Sequence, residues 1–185
     1  KAKGRLVNLR EKLGDAMAED TIGIGHTRWA THGEPSDINA HPHTNTAGDL
    51  AVVHNGIIEN FAKLKAWLQS KGIHFISETD TEVVAHLVNY FYEGDLKTAV
   101  MRAVKMLEGS YALGVMSVRD PHRIVAARKD SPLVIGLGKG ENLIASDFPA
   151  LLEYTKDVYL LDDGEIAVIS ADEVEIYDTY GNRVE

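Results

Sequence analysis

The sequence contains no cysteine. Disulfides, thiolate metal sites and a cysteine nucleophile are therefore excluded within these residues. It has no run of about 18 apolar residues, so no membrane-spanning helix is expected. Lys1-Ala2-Lys3-Gly4 is not followed by the apolar stretch of a signal peptide. These absences predict a cytoplasmic protein with no membrane partner. Basic charge is also short: 19 Lys and Arg stand against 28 Asp and Glu, a net charge of −9. That argues against nucleic-acid binding, which needs a basic footprint. No internal repeat, linker or low-complexity stretch is visible. Gly136-Leu137-Gly138-Lys139-Gly140 is glycine-rich but lacks the spacing of a phosphate loop, and reads as a tight hairpin.

What is present is an ordinary globular composition, 44% hydrophobic and 25% charged over 185 residues, enough for one domain. Leu6, Leu9, Leu13 and Met17 recur at helical spacing and predict a helix over residues 5–18. Residues 21–29 and 50–54 read as strands. Asn55-Gly56 is a turn signal, because both residues tolerate positive φ. A helix follows, with Asn60 as cap, Phe61, Leu64, Trp67 and Leu68 on one face, and Gly72 as stop. Residues 73–76 read as a short strand. Asp80 or Thr81 can cap the next helix, whose apolar face is Val83, Val84, Leu87, Val88 and Phe91. Beyond Gly94-Asp95, Leu96, Ala99, Val100, Ala103, Val104 and Leu107 give a further helical stripe. After Gly109 the period changes to strands over 111–118, 124–127, 133–137, 143–145, 158–161, 165–169 and 174–177. A short helix is expected near 148–152, and a hairpin turn at Asp162-Asp163-Gly164. The order predicts an α+β fold with two packed sheets and helices over an outer face.

One stretch is richer in chemistry than the rest. Between Gly25 and His43 lie Arg28, Trp29, His26, His32, His41 and His43, with Gly33 and Pro35 as punctuation. Rigid polar segments between strands are where sites tend to be built. Arg28 suits a carboxylate held bidentately, or a structural ion pair. Asn55 and the Gly56 N–H can converge as an oxyanion hole, or form an ordinary hairpin turn. Asp80 can cap a helix or bind an ammonium; it does both only if one oxygen is free. The four histidines can ligate zinc, or hydrogen-bond within a loop; their spacing favours no metal. His54 reads as a buried, hydrogen-bonded histidine.

Taken together, five segments resemble one family. They are His26-Thr27-Arg28-Trp29-Ala30-Thr31-His32-Gly33, Asn39-Ala40-His41-Pro42-His43, His54-Asn55-Gly56-Ile57-Ile58-Glu59-Asn60, Ser77-Glu78-Thr79-Asp80-Thr81-Glu82 and Ser131-Pro132-Leu133-Val134-Ile135-Gly136. The pattern resembles the glutaminase domain of the isomerising glutamine–fructose-6-phosphate aminotransferases, class II glutamine amidotransferases. The resemblance covers nearly the whole chain. It implies an N-terminal-nucleophile fold, a four-layer αββα sandwich. It implies that Arg28 holds the α-carboxylate of glutamine, with Thr31 and His32 on that side, and that Asp80 holds its α-ammonium. Asn55 and Gly56 form the oxyanion hole, Trp29 lies on the ammonia route, and His41 is structural. No cofactor or metal is implied.

The family's nucleophile is a cysteine at the mature N-terminus, whose α-amine is the general base. A thioester forms, ammonia leaves, and water releases glutamate. The resemblance therefore implies that residues 1–185 are a single amidotransferase domain truncated at its N-terminus and lacking its first strand. It implies a longer, homodimeric parent with sugar-isomerase domains that bind fructose 6-phosphate, and inactivity of the chain as given. A non-catalytic glutamine-sensing module is the alternative reading. A histidine-based metallohydrolase is a third.

Overall fold

Alternating apolar residues in the middle of the chain build one long antiparallel sheet. The helices between its second and third strands pack on a single face of it. In the computed structural model, which describes residues 1–14, 20–30 and 32–184, the elements are as follows. α1 (Leu6–Leu13), β1 (His43–Thr44), β2 (Leu50–Ile58), α2 (Phe61–Ser70), α3 (Glu82–Tyr90) and α4 (Leu96–Val104) form the first half. β3 (Gly109–Ser117), β4 (Asp120–Lys129), β5 (Val134–Leu137), β6 (Asn142–Ala145), a 3₁₀ turn (Phe148–Ala150), β7 (Val158–Leu160), β8 (Ile166–Ile169) and β9 (Val174–Tyr177) form the second. The six-stranded sheet has the order β1-β2-β3-β4-β8-β9, and the three-stranded sheet β6-β5-β7.

The two-residue period divides the larger sheet into two faces. Leu50, Val52, Leu113, Val115, Val125 and Val168 meet α3 and α4 in one core with Val84, Leu87, Val88, Leu96 and Val100. Each such side chain contributes about 1.5–3 kcal/mol on burial. The opposite face uses smaller residues. Ala112, Ala126 and Ala167 lie against Leu133, Ile135 and Leu161, so the two sheets approach closely. A Cβ on Gly114 would sit 2.9 Å from Ile144 Cδ1. Outside the smaller sheet the last layer is thin. It is the 3₁₀ turn and the turns after it, with Leu151 packed against Gly136. The result is an α+β sandwich in which two sheets face each other.

Several local expectations change. Residues 21–29 form no ladder among the described residues. Their burial still alternates: Ile22, Ile24, His26 and Arg28 turn inward while their neighbours are exposed. The period is that of a strand, but among the described residues no adjacent strand takes up the backbone groups. Residues 73–76 are likewise not a strand. The N–H groups of Ile76 and Ser77 go to the Glu82 carboxylate at 2.8 and 2.7 Å instead of to a sheet.

Asn55-Gly56 is not a turn; it continues β2, opposite Ala112 and Tyr111 of β3. Asp162-Asp163-Gly164 turns the chain, but from the small sheet into the large one, so it closes no hairpin. The first helix ends at Leu13, and Met17 lies outside the described residues. Asn60 makes no cap bond to α2. Its amide instead bridges Met106 O and Glu108 N at 2.9 and 3.0 Å, fastening α2 to the start of β3. Neither Asp80 nor Thr81 caps α3 by its side chain. Both are engaged by β2, Asp80 through Ile58 N–H and Thr81 through His54. Asp95 does cap α4, accepting from Thr98 N–H at 2.9 Å. Gly136 to Gly140 forms the expected β5–β6 hairpin, closed by Gly138 N–H to Glu141 O at 3.0 Å.

Candidate active site

The last five residues of β2 set the site, because successive side chains of a strand point to opposite faces. His54 points toward the helices. It is buried, with Nδ1 2.9 Å from Thr81 Oγ1 and Nε2 3.4 Å from Ser110 O. It is the buried, hydrogen-bonded histidine expected. Burial lowers its pKa, and the nearby Asp80 carboxylate only partly opposes this. Asn55 points the other way, and its Oδ1 lies 2.6 Å from His26 Nε2. Gly56 has φ +121°, and a Cβ there would lie 2.3 Å from Ser110 O. Only glycine allows that backbone and that approach. At Ile58 the backbone N–H leaves the ladder and donates to Asp80 Oδ2 at 2.8 Å. One strand end thus fixes Asn55, Gly56 and Asp80 together.

Asp80 is only 4% exposed. One of its oxygens takes the Ile58 N–H. The other has no hydrogen-bond partner among the described residues, which is the condition for binding an ammonium. The loop that carries Asp80 is built by Glu82. This buried carboxylate accepts from Ile76 and Ser77 N–H, from Ser77 Oγ, and from His86 Nε2 at 3.4 Å. Burial alone would raise its pKa. The hydrogen bonds from His86, Ser77 and the two backbone N–H groups outweigh that and hold it at about 2.

The inward alternation of residues 21–29 places His26 and Arg28 on one side of the extended segment. Arg28 makes no ion pair among the described residues. Its Nη2 donates to His32 O and Gly33 O, the latter at 2.9 Å, and its Nη1 to Glu34 O at 3.3 Å. Three of five guanidinium hydrogens are thereby used to hold the loop. Asn39 ties that loop to the Asp80 loop. It donates to Glu34 O and Glu78 Oε2 and accepts from Glu78 N–H, each at 3.0 Å. His32 packs edge-on to Phe61, ring centroids 5.2 Å apart. Trp29 is 90% exposed at the rim.

The histidines form a stack rather than a ligand set. His26 and His41 are stacked at 4.1 Å, and His43 meets His41 edge-on at 5.0 Å. Among the described residues no three His, Asp or Glu side chains are placed to hold a metal. Burial, then repulsion from His26 and His43, keeps His41 neutral with a pKa of about 2. Burial also lowers His43, to about 4, while its Nε2 lies 3.0 Å from Thr79 Oγ1.

A cavity of about 260 Å³ opens among these elements, lined by Arg28, Trp29, His32, Asn55, Gly56 and Asp80. Every candidate site residue is there except Thr31, which lies outside the described residues. A guanidinium, a half-free carboxylate and a side-chain amide face one small space. Sequence reading gave no role to Glu82 or Asn39, which hold the two loops. A charged residue two positions beyond Asp80 was the available signal for Glu82. Nothing local marks Asn39 as a tie between the loops, since Glu78 is 39 residues away.

A family profile described as "Glutamine amidotransferase domain" matches residues 12–177. The glutamine–fructose-6-phosphate aminotransferase [isomerizing] of Caldanaerobacter subterraneus subsp. tengcongensis is 59% identical over 184 residues, covering 100% of this chain and 30% of that protein. That of Clostridium tetani is 56% identical with the same coverage. This chain therefore spans about three-tenths of the length of these curated relatives. Among solved structures, the glutamine phosphoribosylpyrophosphate amidotransferase from B. subtilis matches with TM-score 0.72 and 28% identity, over 85% of this chain and 35% of that one. The sandwich is thus of the N-terminal-nucleophile amidotransferase type, and the chain belongs to the glutamine amidotransferase domain family.

Proposed function

We propose that this chain is the glutamine-hydrolysing part of a longer cytoplasmic enzyme that supplies ammonia for converting fructose 6-phosphate to glucosamine 6-phosphate. The observation that carries the reading is the 260 Å³ cavity, where Arg28, Asp80 and Asn55 meet. Glutamine is a zwitterion with an amide at its far end. Asp80 meets the α-ammonium through its unpartnered oxygen. Arg28 meets the α-carboxylate through guanidinium N–H groups not committed to the loop carbonyls, with His32 and Thr31 on that side. Asn55 and Gly56 N–H receive the oxygen that gains charge as the amide carbon becomes tetrahedral. Ammonia leaves past Trp29 toward the sugar site, in the sugar-isomerase part of a homodimeric parent.

The attacking group is a thiol, and none lies within these 185 residues. It comes from elsewhere in the longer protein. A thioester to the glutamyl carbon forms as ammonia departs, and water then cleaves it to glutamate. A glutamate-release assay on residues 1–185 beside the complete protein tests this. Background turnover by the chain alone and rapid turnover by the complete protein is the expected result. Equal turnover by both would place the nucleophile within these residues and contradict the mechanism. Glutamine binding without turnover by the complete protein would favour the sensing module.

A further inference from the structure

The geometry points to His26 as the positioning residue that orients the Asn55 amide for oxyanion binding. This inference rests on the glutaminase reading above. An Asn side chain has two orientations differing by a half-turn, and only one serves an oxyanion. The NH₂ must face the cavity and the oxygen must face away. In the structure the oxygen is turned to the His26 ring, Oδ1 lying 2.6 Å from Nε2. An amide oxygen only accepts, so His26 must donate from Nε2. With the ring in the opposite tautomer, Nε2 would be bare and would attract the NH₂. The carbonyl would then face the cavity and repel the developing oxyanion. The tautomer of His26 and the orientation of Asn55 are therefore one linked choice.

The surroundings of His26 hold the ring in place. It stacks on His41, centroids 4.1 Å apart and planes 22° apart. His41 is itself buried and held neutral. His26 Nδ1 is buried with no hydrogen-bond partner in the described structure. Among the described residues Asn55 is therefore the one polar contact of the ring. Ile24, His26 and Arg28 share the inward side of the extended segment. The same alternation that brings Arg28 to the cavity brings His26 to Asn55. His26 also borders the cavity, but the role inferred for it runs through Asn55.

The test uses glutamine hydrolysis by the complete protein. His26→Phe keeps an aromatic ring on His41 but removes the donor. It should lower kcat about tenfold, the scale of one hydrogen bond, with glutamine KM within about twofold. His26→Gln carries an amide nitrogen at the reach of Nε2 and should recover most of the rate. His26→Asn carries its amide at the reach of Nδ1 and should not. In an Asn55→Ala background, His26→Phe should cost little further, since the group it orients is gone. A structural role would give the opposite pattern, with Phe rescuing and Gln not. That pattern, additive effects in the double variant, or an unchanged kcat in His26→Phe would overturn the inference. If the unmodified protein fails to hydrolyse glutamine, the glutaminase reading itself falls, which is a separate result.

Discussion

The helix-side core and the site end of the large sheet are held together by different rules. On the helix side, Leu113, Val115, Leu87 and Val100 are fully buried and held by apolar contact alone. At the site end, His26, Arg28, Asn39, Asp80 and Glu82 are held by directed bonds, most of them between a side chain and a backbone group. Burial is non-directional, so the first region tolerates small shifts. Hydrogen bonds fail over fractions of an ångström, so the second must be positioned by its neighbours. Stability should therefore reside mainly in the first region and glutamine chemistry in the second.

Four substitutions sharpen that contrast. Leu113→Ala, in the core, should lose about 2–5 kcal/mol of folding free energy. Denaturant unfolding of the complete protein would show it, while glutamine KM in the surviving folded fraction stays unchanged. Asn55→Ala should do the reverse. Its kcat should fall by roughly 10²–10³, with little change in KM or in the denaturation midpoint. A KM effect with kcat intact would make Asn55 a binding or packing residue instead.

Asn39→Ala breaks the tie between the Arg28 and Asp80 loops and strands Glu78 N–H. A cost of roughly 1–3 kcal/mol is expected, read mainly as a raised glutamine KM. Unchanged KM would mean that the two loops hold their spacing without it.

Acid should act on the site region first. His43 and His41 have folded pKa values of about 4 and about 2, below the ordinary 6.5. Their folded forms resist protonation more than the unfolded chain does. Their contribution is complete above about pH 6.5 and is lost as pH falls through about 4 and then about 2. Glu82, also lowered to about 2, loses its contribution below its ordinary 4.5. His43→Gln should flatten the decline of stability between pH 6.5 and 4, measured by denaturant midpoints. An equally steep decline in that variant would remove His43 from the account.

The helix-side core was legible because its pattern is local. The stripes Val83, Val84, Leu87, Val88 and Leu96, Ala99, Val100, Ala103 became α3 and α4 with their faces as read. The residues of the cavity were legible as types and order, through the resemblance. Their supports were not. Gly56 reads as a turn residue because positive φ usually means one; here it permits contact with Ser110 inside a strand. Asn60 and Thr81 read as caps, but partners 48 and 27 residues away claim them. Residues 21–29 have a strand's period without a neighbouring strand among the described residues. For Gly56, Asn60 and Thr81 a contact distant in sequence outweighed a local preference.

The proposed glutamine site turns on Asp80, whose oxygen without a partner among the described residues would receive the α-ammonium. Steady-state kinetics of Asp80→Asn in the complete protein test it most directly. Asparagine keeps an oxygen for Ile58 N–H, so β2 and the loop should stay in place, but the charge that meets the ammonium is gone. Arg28→Lys, which loses the guanidinium fork, is the companion variant. Glutamine KM should rise about tenfold or more in Asp80→Asn, with the fold intact by circular dichroism. A KM unchanged from that of the unmodified protein would contradict it.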